Sequence, residues 1–112
     1  METKSALTAL TGLAQETRLA IFRFLVEQGP EGIAAGALAD RLGLANATLS
    51  FHLKELAHAQ LVNARQAGRF IYYSANFATM TDLVAYLTEN CCRGTICDIA
   101  CAPASRPKRR VS

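Results

Sequence analysis

The 112-residue sequence lacks the signals that would place it in a membrane, outside the cell or among familiar enzymes. No stretch approaches the roughly 18 apolar residues of a membrane-spanning helix, and the opening METKSALTAL has neither the apolar core nor the cleavage pattern of a secretion signal. No cysteine has an arginine six positions later, so the phosphate-cradling C-x5-R loop of cysteine-dependent phosphatases is absent. We therefore expect a cytoplasmic protein that is not an enzyme and has no membrane partner.

Positive charge is concentrated at one end of the chain. The net charge is +3, but the stretch RPKRRVS at the end holds four of the twelve lysines and arginines. The other eight are balanced by nine acidic residues, so bulk charge gives little argument for nucleic-acid binding. Residues 103–112 combine two prolines with this basic run, which predicts a disordered tail that adds solubility or sequence-independent attraction to phosphate.

Four helices are predicted in the first part of the chain. An apolar repeat predicts a helix from Thr3 to Leu13, and QETRLAIFRFLVEQGP predicts a second helix that stops at its Gly-Pro pair. AAGALADRLGL predicts a short third helix ending at Gly43, since glycine suits the positive φ of a helix end. After a tight turn, ANATLSFHLKELAHAQLV carries a helical stripe of Leu49, Leu53 and Leu56. Two such helices around a tight turn are the sequence form of a helix-turn-helix motif.

The periodicity changes after the fourth helix. Branched and aromatic residues in LVNARQAGRFIYYSA predict strands near 61–66 and 69–74, joined at Gly68. NFATMTDLVAYLTEN then predicts a last helix, capped by Asn76, with an apolar stripe of Phe77, Met80, Leu83, Val84 and Leu87. A hairpin directly after a helix-turn-helix is a wing. The expected fold is mainly α with a small β hairpin (α+β), a winged helix-turn-helix of order α-α-α-α-β-β-α.

The fourth helix is expected to read DNA. With its leucines turned to the core, helical geometry places Phe51, Lys54 and His58 on the outer side. Base contacts come mainly from the start of such a helix, which predicts a major-groove set of Asn46, Ala47, Thr48, Ser50 and Phe51. Lys54 is expected to meet phosphate. Phe51 suits a thymine methyl group, with packing against the wing or a neighbour as an equal alternative.

Three further residues complete the predicted DNA-binding set. Arg65 and Arg69 flank the wing tip and are expected to contact phosphate or the minor groove, because short wings lie over the DNA backbone. The alternative for both is a solvated pair of charges on the hairpin. His52 lies near the edge of the core stripe, where we expect a half-buried, hydrogen-bonded histidine.

Three segments, LAQETRLAIFRFL, ALADRLGLANATLSFHLKEL and GRFIYYS, together resemble the bacterial ArsR/SmtB family of metal-responsive repressors, from about residue 5 to residue 92. The resemblance marks His52 and implies a homodimer paired through its first and last helices. It also implies binding to palindromic operator DNA and release by a metal or metalloid ion. The sequence departs from the family at Ala45 (often a serine cap), Ala47 (often proline) and Gln60 (usually a helix-ending glycine). A left-handed Gln60 would cost about 1 kcal/mol.

All four cysteines fall within eleven consecutive positions after the last helix, in ENCCRGTICDIAC. In a reducing compartment such a cluster indicates metal binding or redox sensing rather than disulfides. Thiolates suit Zn(II), Cd(II), Cu(I) and trivalent arsenic or antimony. The zinc-sensing branch of the family uses Asp and His pairs on its last helix, but the last helix here offers Asp82 and Glu89 and no histidine. This argues against a zinc sensor.

Adjacent Cys91 and Cys92 point about 100° apart while helical, so they converge on one ion only if the helix frays, which Gly94 favours. As(III) needs three sulfurs on one side, and one branch of the family carries an adjacent cysteine pair plus a third cysteine just after its last helix. The predicted ligands are therefore Cys91, Cys92 and Cys97. Cys101 is an alternative ligand, since it shares a face with Cys97 if TICDIAC is helical. A four-sulfur Zn or Cd site and a redox pair stay open.

These patterns together predict an As(III)-responsive repressor that binds operator DNA as a homodimer. Sb(III) is a second expected inducer, and no organic cofactor is expected. Residues 1–92 would form the DNA-binding and dimerisation domain, residues 93–102 the metalloid-binding segment and residues 103–112 the basic tail. The alternative is a thiol redox-sensing or Zn/Cd-responsive repressor of the same fold.

Overall fold

The computed structural model describes residues 1–91. Its elements, in chain order, are α1 (Thr3–Leu13), α2 (Glu16–Gln28), β1 (Ile33–Ala34), α3 (Ala35–Leu42), α4 (Asn46–His58), β2 (Val62–Ala67), β3 (Phe70–Ala75) and α5 (Phe77–Leu87). The predicted α+β winged helix-turn-helix is confirmed: α3 and α4 form the helix-turn-helix, and β2 with β3 forms the wing. Predictions for the segment 93–102 and the tail 103–112 lie outside the described residues.

The sheet has one more strand than predicted. Its order is β1-β3-β2 with antiparallel pairs, and β1 pairs Ile33 with Tyr73 and Ala34 with Tyr72. A two-residue strand is too short to show an alternating pattern, so the sequence did not reveal it. The wing strands begin one residue later than predicted. Leu61 still belongs to the end of α4, because its N–H donates to a carbonyl of that helix at 2.9 Å.

The buried face of α1 consists of small residues rather than leucines. Ala6, Ala9 and Gly12 are buried, and a Cβ added at Gly12 would lie 2.9 Å from the Cβ of Ala59. α1 therefore crosses so close to the end of α4 that large side chains would not fit between them. Leu7, a member of the repeat that predicted the helix, is exposed instead.

The two helices of the helix-turn-helix end in the same hydrogen-bond pattern. The N–H of Gly43 donates to the Asp40 carbonyl at 3.3 Å, and the N–H of Gln60 donates to the Ala57 carbonyl at 3.0 Å. In both cases the next residue bonds five positions back, which completes a Schellman motif with one left-handed residue. That residue is Gly43 (φ 68°) after α3 and Gln60 (φ 65°) after α4. Gln60 therefore adopts a left-handed conformation that glycine usually fills at a helix end.

Replacing Gln60 by glycine is expected to stabilise the protein. A left-handed residue with a side chain costs about 1–2 kcal/mol, and the extra freedom of glycine in the unfolded chain offsets about 0.4–1 kcal/mol of that gain. The net gain of roughly 0.5–1 kcal/mol should raise Tm in a thermal unfolding experiment by a few degrees. Gln28→Gly, at the last position of α2 where φ is not positive, is the matched control and should lower Tm. An unchanged or lower Tm for Gln60→Gly would show that the strain of the left-handed backbone does not exceed the offset from the unfolded chain.

The core lies between α2, α3, α4 and the start of the wing. Its largest fully buried side chains are Ile21, Leu25, Leu38, Leu49, Leu56 and Leu61. The last helix contributes less: of its predicted apolar stripe Leu83 is buried, whereas Val84 and Leu87 are more than half exposed. No helix within residues 1–91 is long and apolar enough to span a bilayer.

Candidate nucleic-acid interface

Helix α4 turns its leucine stripe to the core and its other side to solvent. Leu49, Leu53 and Leu56 are buried, which confirms the predicted orientation. The helix follows Ala45, whose side chain makes no capping hydrogen bond. Six predicted DNA-binding residues on this helix are exposed, namely Asn46, Ala47, Thr48, Ser50, Phe51 and Lys54.

Two neighbouring rings on α4 differ in exposure. Phe51 is 58% exposed, and its ring meets the His52 ring edge-on with centroids 5.3 Å apart. The neighbour that Phe51 contacts is thus the adjacent histidine, while most of its ring remains open to a partner. His52 is half-buried as predicted, but the expected hydrogen bond is not made at Nδ1, which is buried without a partner. His52 therefore offers less surface to DNA than Phe51 does.

One of the two arginines of the wing, Arg65, contacts other residues of the protein. Arg65 Nη2 donates to the Glu31 carbonyl at 3.2 Å, and its guanidinium carbon lies 4.9 Å from the centroid of the Tyr72 ring. Arg69 follows Gly68 (φ 62°) in the two-residue turn and is exposed. A positive φ at the first turn position is typical of the glycine-led hairpin turn. Arg69 is therefore the arginine at the wing tip, and the predicted DNA contacts of both arginines stay predictions.

Acidic residues are missing from the parts of the chain that form this surface. The sequence has no Asp or Glu between Asp40 and Glu55, and none between Glu55 and Asp82. These two stretches contain the first half of α4 and the whole wing. The lysine and arginines within them are Arg41, Lys54, Arg65 and Arg69. Outside its basic tail the chain is nearly neutral, yet these stretches are locally positive, which favours contact with a phosphate backbone.

Of the predicted metal ligands, the structure describes Cys91. This residue is half-buried, lies four positions beyond the end of α5, and its N–H donates to the Thr88 carbonyl at 2.9 Å. Cys92, Cys97 and the alternative ligand Cys101 lie outside the described residues. Within residues 1–91, no group of three or more cysteine, histidine or acidic side chains is placed to hold a metal ion. The thiol site therefore stays a prediction.

Known proteins of similar sequence and structure identify the family. A family described as a helix-turn-helix domain matches residues 13–65. The nodulation protein NolR of Rhizobium meliloti is 35% identical over 80 residues, which span 71% of this chain and 63% of NolR. The crystal structure of NolR from Sinorhizobium fredii is 36% identical, covers 77% of this chain and 83% of that chain, and has a TM-score of 0.60.

Two further solved structures extend the likeness. Mb0332 of Mycobacterium bovis, described as a homodimeric winged helix-turn-helix DNA-binding domain of a possible ArsR-family regulator, is 27% identical over 82% of this chain and 85% of that chain (TM-score 0.62). The chain belongs to the ArsR/SmtB family. AntR, described as an antimony-specific transcriptional repressor, is 25% identical over 77% of each chain (TM-score 0.61). ArsR/SmtB proteins are DNA-binding transcription regulators rather than enzymes.

Asn76 has a larger role in this ArsR/SmtB chain than the cap that the sequence predicted. Its Oδ1 accepts from the Thr79 N–H at 3.2 Å, which confirms the cap. Its Nδ2 donates to the Gln60 carbonyl at 3.0 Å, and its backbone N–H donates to the Leu61 carbonyl at 2.8 Å. The start of α5 is thereby attached to the end of α4. The side-chain bond to Gln60 spans 16 positions, so no local pattern indicated it.

Phe51→Ala and Lys54→Ala are expected to weaken DNA binding by this ArsR/SmtB chain in different ways. Phe51→Ala should cost about 1–3 kcal/mol on specific DNA and relax the preference at one base position, because an apolar contact to a base edge is lost. Lys54→Ala should weaken all sequences alike and lower the salt slope by about one unit, because a phosphate contact is lost. Titrations of base-substituted duplexes at several salt concentrations measure both effects. Identical salt slopes and identical sequence profiles for the two variants would contradict this division.

Proposed function

We propose that this chain is a homodimeric transcriptional repressor that binds palindromic operator DNA and leaves it when As(III), or Sb(III), binds Cys91, Cys92 and Cys97. The observation that carries the proposal is the position of the cysteine run. It starts four residues after α5, and the other end of α5 is hydrogen bonded through Asn76 to the recognition helix α4. A ligand site beyond α5 and the DNA-reading surface would thus be connected by one helix. Such a repressor works in the cytoplasm, where thiols stay reduced.

An exposed apolar surface on α1 and α5 supports the dimer. Its members are Leu7, Leu10, Val84 and Leu87. The two helices are neighbours, since Thr3 Oγ1 lies 2.5 Å from the Tyr86 hydroxyl oxygen. Each of these side chains is about half exposed in the single chain, so covering it with a second copy contributes about half of the roughly 1.5–3 kcal/mol gained by burying a fully exposed one. The similar Mb0332 domain is homodimeric. A two-fold dimer presents two recognition helices, which explains why a palindromic operator is proposed.

Thiol chemistry supports a trivalent metalloid as the inducer. Soft thiolates bind Zn(II) and Cd(II) as well as As(III) and Sb(III). Which of these ions the site prefers therefore depends on which other ligands, such as histidines, lie nearby. Both histidines of the chain, His52 and His58, lie on α4. The α5 helix has no histidine that could complete an Asp and His site for zinc. The similar repressor AntR is antimony-specific, which adds support for As(III) or Sb(III) here.

Ion binding is proposed to act on DNA through α5. Drawing three sulfurs around one ion reshapes the chain just after this helix, and the contact of Tyr86 with Thr3 passes the change to α1. The bond from Asn76 to Gln60 passes it to α4. The distance between the two recognition helices of a dimer then changes. Because the operator half-sites lie a fixed distance apart, the dimer loses affinity for the operator. The coupling free energy between two such binding sites is typically about 1–3 kcal/mol. The coupling is reciprocal, so bound operator weakens As(III) binding by the same factor by which As(III) weakens operator binding.

A release experiment with a panel of ions tests the proposal. An operator duplex selected from a random pool is labelled, bound to the reduced protein, and titrated separately with As(III), Sb(III), Zn(II) and Cd(II). As(III) and Sb(III) are expected to release the duplex at near-stoichiometric concentrations, and Zn(II) and Cd(II) only in large excess. Release by Zn(II) or Cd(II) alone would assign the protein to the Zn/Cd-responsive alternative. Release by peroxide alone, with a sulfenic acid or disulfide seen by mass spectrometry, would assign it to the redox alternative.

A further inference from the structure

The tip of the wing exposes two large apolar side chains. Phe70 is 60% exposed and Ile71 is 42% exposed, and both follow directly after the turn at Gly68 and Arg69. Farther along the same strand, Ala75 is buried in the core. The two exposed side chains fit the apolar and aromatic pattern of a strand. Phe70 leaves more than half of its surface open to a partner.

Phe70 and Ile71 lie on opposite faces of the wing. Alternate residues of a strand share a face, and so do residues directly opposite each other in the register. Phe70 therefore shares its face with Tyr72 and with Arg65, which pairs with Tyr72. Ile71 shares the face of Tyr73, which packs against the core. Phe70 is thus the large apolar group at the tip of the outer face.

The wing that carries Phe70 is basic in sequence. From Val62 to Ala75 the wing contains two arginines and no acidic residue. Arg65 is held by Glu31 and Tyr72, so Arg69, next to Phe70, is the arginine that stands at the tip. An apolar side chain beside a positive charge matches the minor groove of duplex DNA, which has phosphates at its rim and base-pair edges at its floor. The wing is also continuous with α4, since β2 packs against that helix.

We propose that Phe70 is an apolar wedge that enters the minor groove beside each half-site and selects base steps that unstack easily. Apolar side chains inserted into the minor groove partly unstack a base step and kink the duplex. Pyrimidine–purine steps such as TA and CA deform at the lowest cost. Arg69 holds the adjacent phosphate. The wing then adds sequence preference without hydrogen bonds to bases, and this inference rests on the proposed binding of operator DNA.

Selection from random duplexes by the full-length protein tests the wedge. Wild type is expected to enrich a half-site flanked, at a constant distance, by a pyrimidine–purine step. Phe70→Ala should enrich the same half-site with a random flank, and should bind duplexes carrying the step about tenfold more weakly than wild type does. Phe70→Leu keeps an apolar wedge and should keep the preference. Ile71→Ala, the neighbouring exposed position on the opposite face, is the matched control and should behave as wild type.

The bend of the duplex gives an independent readout. End-labelled duplexes should show a shorter end-to-end distance with wild type and Ile71→Ala than with Phe70→Ala. The same flank preference and bend for Phe70→Ala as for wild type would overturn the proposal. Self-association of the protein that disappears in Phe70→Ala, with the flank preference intact, would also overturn it and assign the tip to a protein contact. If the proposed operator binding were wrong, the result would differ from failure of the wedge alone, because wild type would then enrich no half-site.

Discussion

Serine at Cys91, Cys92 or Cys97 is expected to leave operator binding intact and to abolish release by As(III). A metalloid held by three thiolates loses a third of its ligands in each variant, while the DNA-reading surface of α4 is untouched. The ion then no longer discriminates between the DNA-bound and DNA-free states, and the coupling that drives release is lost. A coupling of about 1–3 kcal/mol corresponds to roughly a 5- to 150-fold change in operator affinity, so the loss is readily seen. Fluorescence anisotropy of labelled operator during an As(III) titration measures it.

Cys101→Ser is the matched control for these three variants, because it removes one thiol from the same run. We expect it to remain inducible. If As(III) releases operator from Cys97→Ser but not from Cys101→Ser, the third ligand is Cys101 and not Cys97. Normal release in all four variants would show that the cysteine run is not the sensor, without affecting the proposed operator binding.

Leu7→Lys and Val84→Lys are each expected to convert the dimer into a folded monomer with greatly weakened operator binding. Leu7 is 57% exposed and Val84 53% exposed in the single chain, so a lysine at either position disturbs little within one copy. In the dimer each change would bury two unpaired charges, which costs several kcal/mol. A monomer engages one half-site at a time, and loss of the linked second contact lowers the apparent affinity by about 10²–10⁴-fold. Sedimentation equilibrium and operator titrations measure the two effects.

Leu19→Lys supplies the comparison for this prediction. Leu19 is an apolar residue of similar exposure, 43%, on α2 rather than on α1 or α5. The variant should remain dimeric and should bind operator as wild type does. If Leu19→Lys is monomeric while Leu7→Lys and Val84→Lys are dimeric, the copies pair through α2 and the proposed interface is wrong.

Features set by residues close along the chain were predictable from the sequence. The stripe of Leu49, Leu53 and Leu56 indicated which side of α4 is buried, and the exposure of the candidate DNA-binding residues followed from it. The left-handed Gln60 and the cap at Asn76 were also predictable, because helix ends depend on hydrogen bonds within about five positions. The thiol ligands Cys91, Cys92 and Cys97 rest on sequence spacing and resemblance, and so they remain predictions.

Features set by distant contacts were not predictable. The strand β1 has two residues and is defined by pairing with β3 about forty positions later, at Tyr72 and Tyr73. The apolar repeat of α1 indicated a helix but not its buried face, because that face is decided by the close approach of the end of α4. The hydrogen bond from Arg65 to the Glu31 carbonyl joins residues 34 positions apart, and the DNA contact of Arg65 stays a prediction. Local spacing contains no information about such partners.

Two hydrogen bonds of Asn76 join the start of α5 to the end of α4, and a third caps α5 itself. Neither helix terminus can open without breaking bonds to the other, so the two should share a single opening free energy in native-state hydrogen exchange. In the proposed mechanism, a displacement of α5 therefore rotates α4 as a rigid body about this joint instead of melting its last turn. The DNA-reading helix is then expected to keep the same internal geometry on and off the operator, with only its orientation changed.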